Sequence, residues 1–171
     1  MKNTMKNTFL KTIGAAALAF LMLAMFAQIP VSAQIREEVP IRNQRDLEGT
    51  WDLQVTRRNC QTGAAFATFA SIETFMSGGT MLDSTSAGSP ALITPGHGVW
   101  SHAGGRNYRF KFKAFQFDVS GNFTGWIIVS HQPNLNRRAD KFESAGTSEF
   151  YNAQGVLLFT GCSTLTATRF E

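Results

Sequence analysis

The chain has 171 residues, with 16 Lys and Arg against 12 Asp and Glu, but three of the lysines fall within the first eleven residues, where there is no carboxylate. From residue 34 onward the balance is 13 to 12. That is too even to create the long-range field of a nucleic-acid or anionic-membrane binder, so the basic pI of about 9.4 points to neither. Two cysteines exclude a disulfide-dense mini-scaffold, and about 138 residues after a leader are enough for one ordinary core.

Lys2, Lys6 and Lys11 precede an unbroken apolar run from Ile13 to Ala27, and Val31 and Ala33 fit the last positions before a cleavage site. We therefore expect residues 1–33 to be a signal peptide cut before Gln34, and the product to be exported, to the periplasm or the medium. An apolar run of about 15 is short for the roughly 20 residues of a spanning helix, so no integral membrane span is expected after cleavage. Residues 34–45, charged and proline-bearing without periodicity, read as a flexible tail before a domain over 46–171. In an exported chain Cys60 and Cys162 point to one disulfide, or else to two unrelated buried thiols.

The domain opens on Trp51, Leu53 and Val55 alternating with Asp52, Gln54 and Thr56, the period of a half-buried strand. Further β-rich runs follow at Phe66 to Met76, Thr80 to Ser86, His97 to His102, Arg106 to Asp118, Asn122 to His131, Asp140 to Tyr151 and Val156 to Arg169. Turn signals separate them, and a Gly/Ser/Pro-rich loop runs from Ala87 to Gly96. In the fifth run Tyr108, Phe110 and Phe112 take one parity and Phe115 and Phe117 the other, which predicts a β-bulge near Lys113 and Ala114. Eight short strands with no helical period make an all-β sandwich or barrel.

Leu47-Glu48-Gly49-Thr50-Trp51 at the start of the first strand, with Arg169 near the end of the last, resembles the signature of the calycin superfamily, which includes lipocalins, fatty-acid-binding proteins and avidins. The resemblance implies an eight-stranded antiparallel up-and-down barrel in which Trp51 packs near Arg169, with Gly49 completing the signature. Pro95-Gly96-His97-Gly98-Val99-Trp100, with Gly104, Phe117-Asp118 and Gly121, is also similar to a group of small secreted bacterial proteins without assigned activity. In such a barrel the first and last strands are antiparallel neighbours, and paired positions have a constant sum. Trp51 with Arg169 gives 220 and Cys60 with Cys162 gives 222, so one register brings one pair directly opposite and the other diagonal. The resemblance thus implies a Cys60–Cys162 disulfide across the seam.

His97 and His102 are five apart and face opposite sides of a regular strand, so they do not share a metal. His131 could approach either, but a strand-end histidine satisfied by backbone or water is the simpler expectation. No metal, haem or other cofactor is expected. Gly-x-Ser-x-Gly is absent, and Glu73, Asp83, Asp118, Glu143 and Glu149, which could supply a carboxylate pair, are expected on the surface. Arg109, Lys111 and Lys113 alternate with Tyr108, Phe110 and Phe112, which separates basic from aromatic groups and argues against single-stranded nucleic acid.

Three functions stay open. The first is a barrel that binds a small apolar ligand inside, lined by Tyr108, Phe110, Phe112 and Trp126. The second is a filled barrel acting through its surface or the Ala87 to Gly96 loop as an envelope interaction module. The third is a cofactor-free isomerase or cyclase with Arg169, Glu73 or Glu149 at the cavity floor. It would be abandoned if every buried ionisable group were internally paired.

Overall fold

The computed structural model describes residues 47–170, and the expected leader and tail lie outside the described residues. Among these the chain is all strand, turn and loop, and no helix is long and apolar enough to cross a membrane. The strands are β1 (Gly49–Arg58), β2 (Ala65–Phe75), β3 (Thr80–Thr85), β4 (Gly96–Gly104), β5 (Asn107–Phe117), β6 (Phe123–His131), β7 (Asn134–Leu135), β8 (Lys141–Asn152) and β9 (Leu157–Arg169). Every pairing is antiparallel, each long strand bonds to the next, and β1 pairs with β9, closing an eight-stranded up-and-down barrel. Closure removes the exposed edges that an open sheet must otherwise protect.

The two-residue β7, too short to show a period in the sequence, pairs with β5 and β8. Leu135 is buried in the core cluster. At the same end Trp51, Phe75, Met81, Phe110, Phe142 and Leu47 make a continuous apolar core, with Trp51 set edge-on to Phe142 at 4.8 Å. All but Leu47, which lies before β1, come from the inward parity of their strands, so the alternation read from the sequence largely decides what this end contains.

The β1–β9 register pairs Trp51 with Arg169 and Arg58 with Cys162. Cys60, two residues past Arg58, is therefore diagonal to Cys162, and the two form a disulfide with Cα atoms 5.2 Å apart. Arg169 lays its guanidinium 4.3 Å from the Trp51 ring centroid and donates from Nη1 to the Glu48 carbonyl at 2.6 Å and from Nε to the Ala139 carbonyl at 3.1 Å. Gly49 has φ +118°, and a Cβ there would lie 2.7 Å from Arg169 Nη1, so both backbone and guanidinium require the glycine. Gly49, Trp51 and Arg169 are thus one packed unit.

The bulge lies elsewhere than expected. Lys113 and Ala114 pair regularly with Ile128 and Ile127, and the register slips between Gln116 and Phe117, where Thr124 is the unpaired residue between Phe123 and Gly125. Ala114 therefore stays on the inward parity of Tyr108, Phe110 and Phe112, and Phe115 points out. The outward aromatics have their own partners: Phe115, Phe117 and Trp126 each pack on Phe123, and the Lys113 ammonium sits 4.0 Å from the Trp126 ring centroid.

Candidate functional site

The barrel has two unlike ends. Opposite the packed end, Val55, Phe69, Phe112, Ile127, Val129 and Phe150 face inward around a cavity of about 400 Å³. That volume sits at the lower end of the range for small-molecule sites. Size selection explains the gap: inward positions at this level include Ser148, Gly161 and Ser163, too small to meet across the barrel. Gly161 is open in this sense, since a Cβ there would find only ordinary contacts, 3.8 Å from Phe150 Cε2 and 3.9 Å from the Ser148 oxygen.

The segment 87–95 forms one wall. It is zipped onto the end of β5 by Thr94 N–H to the Phe115 carbonyl at 3.0 Å, Phe115 N–H to Thr94 Oγ1 at 3.0 Å and Phe117 N–H to the Leu92 carbonyl at 2.9 Å. Leu92 and Ile93 thereby line the cavity. Phe66 and Phe159 stand at the mouth, both largely exposed, with Phe159 stacked 4.2 Å from Phe150. Arg57 also lines the cavity and lies over the Phe69 ring.

The polar groups lie deeper. Ser71 and Glu73 share the inward parity of Phe69 and Phe75 on β2, and Asp83 that of Met81 on β3; Glu73 and Asp83 are direct cross-strand partners. Glu73 is 2% exposed, and its Oε2 has no hydrogen-bond partner among the described residues. Burial first, and the Asp83 carboxyl second, hold Glu73 well above the ordinary glutamate range. Burial pushes Asp83 up to about 6, opposed by the Ser71 hydroxyl. Ser71 Oγ lies 2.6 Å from Asp83 Oδ1 and 2.9 Å from the Ser84 carbonyl oxygen, so one hydroxyl proton faces two acceptors.

Across the barrel His131 is buried, with Nδ1 3.1 Å from Ser144 Oγ and Nε2 3.0 Å from Ser163 Oγ. Its ring reaches β9 because its β8 partner is Gly146, where a Cβ would lie 2.5 Å from His131 Cγ. Burial brings His131 down to about 4, so the ring is neutral at pH 7. Among the described residues, Glu73, Asp83, His131 and Arg57 are the titratable side chains lining the cavity.

Of the four residues expected to line an interior ligand, Phe112 faces the cavity, whereas Tyr108 and Phe110 are buried toward the packed end. Trp126 is opposite the outward Phe115 and stacks on Tyr151 on the outer surface. Arg169 lies at the packed end on Trp51, and Glu149 accepts a 2.9 Å hydrogen bond from the Tyr151 hydroxyl, so neither forms part of the floor. His102 Nε2 meets the Gly105 carbonyl at 3.0 Å, outside the cavity. Surface placement fails for Glu73 and Asp83, which are buried; the available signal was a charged residue on the apolar parity of an alternating strand.

The fold and site together define a closed eight-stranded β-barrel, packed solid at one end and hollow at the other, with a buried carboxyl pair below the hollow. No protein-family model, curated protein or solved structure matches the chain.

Proposed function

We propose that the chain is an exported barrel that takes a small, mainly apolar molecule into its hollow end. The observation that carries this is the cavity itself: about 400 Å³ lined largely by Val, Ile, Leu and Phe side chains, at the opposite end of the barrel from the core cluster. The Cys60–Cys162 disulfide is in keeping with an oxidising compartment. The loop expected to serve an envelope interaction module is held to β5 as a cavity wall, which favours an interior role over a surface one.

The test fills the hollow without touching the core. Gly161→Phe directs a ring into the cavity from a position where a Cβ meets no clash. Wild type is expected to bind 1-decanol by isothermal titration, and Gly161→Phe to lose that binding by at least tenfold while unfolding at the same urea concentration or higher. Equal binding by both proteins would place the ligand elsewhere and end this reading. One observation favours a second reading, a cofactor-free isomerase or cyclase: Glu73, a cavity-lining residue, keeps a buried oxygen without a partner among the described residues, so the condition for abandoning that reading is not met. A ligand recovered chemically unchanged after prolonged incubation would decide for carriage.

A further inference from the structure

We infer that the Glu73–Asp83 floor is a receptor for the protonated amine of an otherwise apolar ligand. The inference rests on the cavity reading and adds the chemistry of the head group. It starts from a shortage of donors. The floor presents two oxygens on each of Glu73 and Asp83 and the Ser84 carbonyl, while the donors are one Ser71 hydroxyl proton, already faced by two acceptors, and at most the proton that burial keeps on a carboxyl, so acceptors still outnumber donors. Glu73 Oε2 is buried with no partner among the described residues, and Glu73 is one of the residues lining the cavity. A polar atom left so costs on the order of 1–3 kcal/mol, so native proteins leave few of them.

Charge points the same way. Cross-strand partners bring the two carboxyls onto one face with Cβ atoms roughly 5 Å apart, and among the described residues no cation is paired with them. Arg57 is on the inward face of β1 but six residues along the strand from Trp51, the partner of Glu73, a separation of about 20 Å. His131 approaches from β6 with both ring nitrogens already engaged by Ser144 and Ser163. An alcohol brings one donor and no charge, and a carboxylate brings only more acceptors. A primary ammonium brings three N–H donors and one positive charge on a point small enough to sit between two carboxyls. The apolar walls above would hold its chain.

The consequence is also a proton count. The ammonium favours the ionised form of both carboxyls, so a proton that burial keeps on Glu73 in the empty barrel leaves as the amine enters.

The experiment compares decylamine, 1-decanol and decanoate at pH 7 by isothermal titration of the purified, disulfide-bonded protein, in phosphate and in Tris. Decylamine is expected to bind at least tenfold more tightly than decanol, with decanoate weakest, and its enthalpy to differ between the buffers by the amount that reports proton release. Glu73→Gln should bring decylamine to within threefold of decanol measured on the same variant. The inference is overturned, with the cavity reading intact, if decanol or decanoate binds as well as decylamine. If none of the three binds, both fall.

Discussion

His131 joins three strands at the level of the cavity floor. It belongs to β6, crosses the bare backbone of Gly146 on β8 and meets Ser163 on β9. Its burial has a pH signature that runs against that of Asp83. The unfolded chain protonates His131 near 6.5 and the folded chain only near 4, so its contribution is full above about 6.5 and is lost as pH falls toward 4. Asp83 has the opposite sign. Raised from about 3.9 to about 6, it contributes fully below the lower value, and that contribution is lost as pH rises through 6. Glu73 acts in the same sense as Asp83. Each shift of about two units corresponds to on the order of 3 kcal/mol, so in wild type the effects oppose one another across pH 4 to 6. Asp83→Asn removes one of them. Relative to wild type, this variant should lose about 2 kcal/mol of stability on going from pH 6.5 to pH 4.5, as read from urea unfolding at the two pH values. Parallel pH profiles would mean that Asp83 titrates normally in the folded protein.

At the scale of the strands, the seam between β1 and β9 was legible from the resemblance, which put Trp51 near Arg169, together with the period of pairing. One constant-sum register admitted that pair and Cys60 with Cys162, one opposite and the other diagonal, and the structure sets Trp51 opposite Arg169 and Cys60 diagonal to Cys162. Several strand ends were legible too, since turns bearing Gly63, Gly78 and Gly79, Gly104 and Gly105, Gly121 and Gly155 interrupt the alternation, whereas no glycine marks the ends of β7. Inward and outward faces of β5 were not. Phe115 and Phe117 look like core residues in sequence, but Phe123, Trp126 and Lys113 cover them from outside, so an apolar cluster on the outer face imitated a change of phase. The carboxyl floor was missed for a related reason: charge type outweighed parity at Glu73 and Asp83, although parity is what fixes direction in a strand. The seam itself makes a prediction. The disulfide ties residues 102 apart in sequence, a loop for which the chain-entropy model gives about 4 to 5 kcal/mol. A Cys60→Ser, Cys162→Ser double variant should therefore unfold several kcal/mol more easily in urea. A loss under about 1 kcal/mol would show that the β1–β9 ladder and the Trp51–Arg169 contact hold the seam unaided.

Across the whole molecule the division into a packed and a hollow end predicts a gradient of stability along individual strands. Closed barrels have no edge to fray, so backbone pairing alone would protect β2, β8 and β9 evenly along their lengths. Side-chain burial is uneven: Phe75 on β2, Phe142 on β8 and Ala167 on β9 are enclosed in the core, whereas toward the other ends of these strands Phe66 and Phe159 are more than half exposed and Phe150 is only half-buried. Local opening costs least where little apolar surface is buried, so amides of Thr68, Phe150 and Thr160 should exchange with solvent much faster than those of Thr74, Phe142 and Ala167. Filling the hollow adds burial only at the weak end. An apolar ligand should therefore slow exchange near the mouth in proportion to its occupancy and leave the packed end unchanged, whereas simple tightening of the fold would slow both alike. Hydrogen exchange followed amide by amide, with and without 1-decanol, distinguishes these. Equal protection at both ends in the free protein would mean that the backbone ladder, rather than the core, sets local stability here, and that the hollow end is as rigid as the packed one.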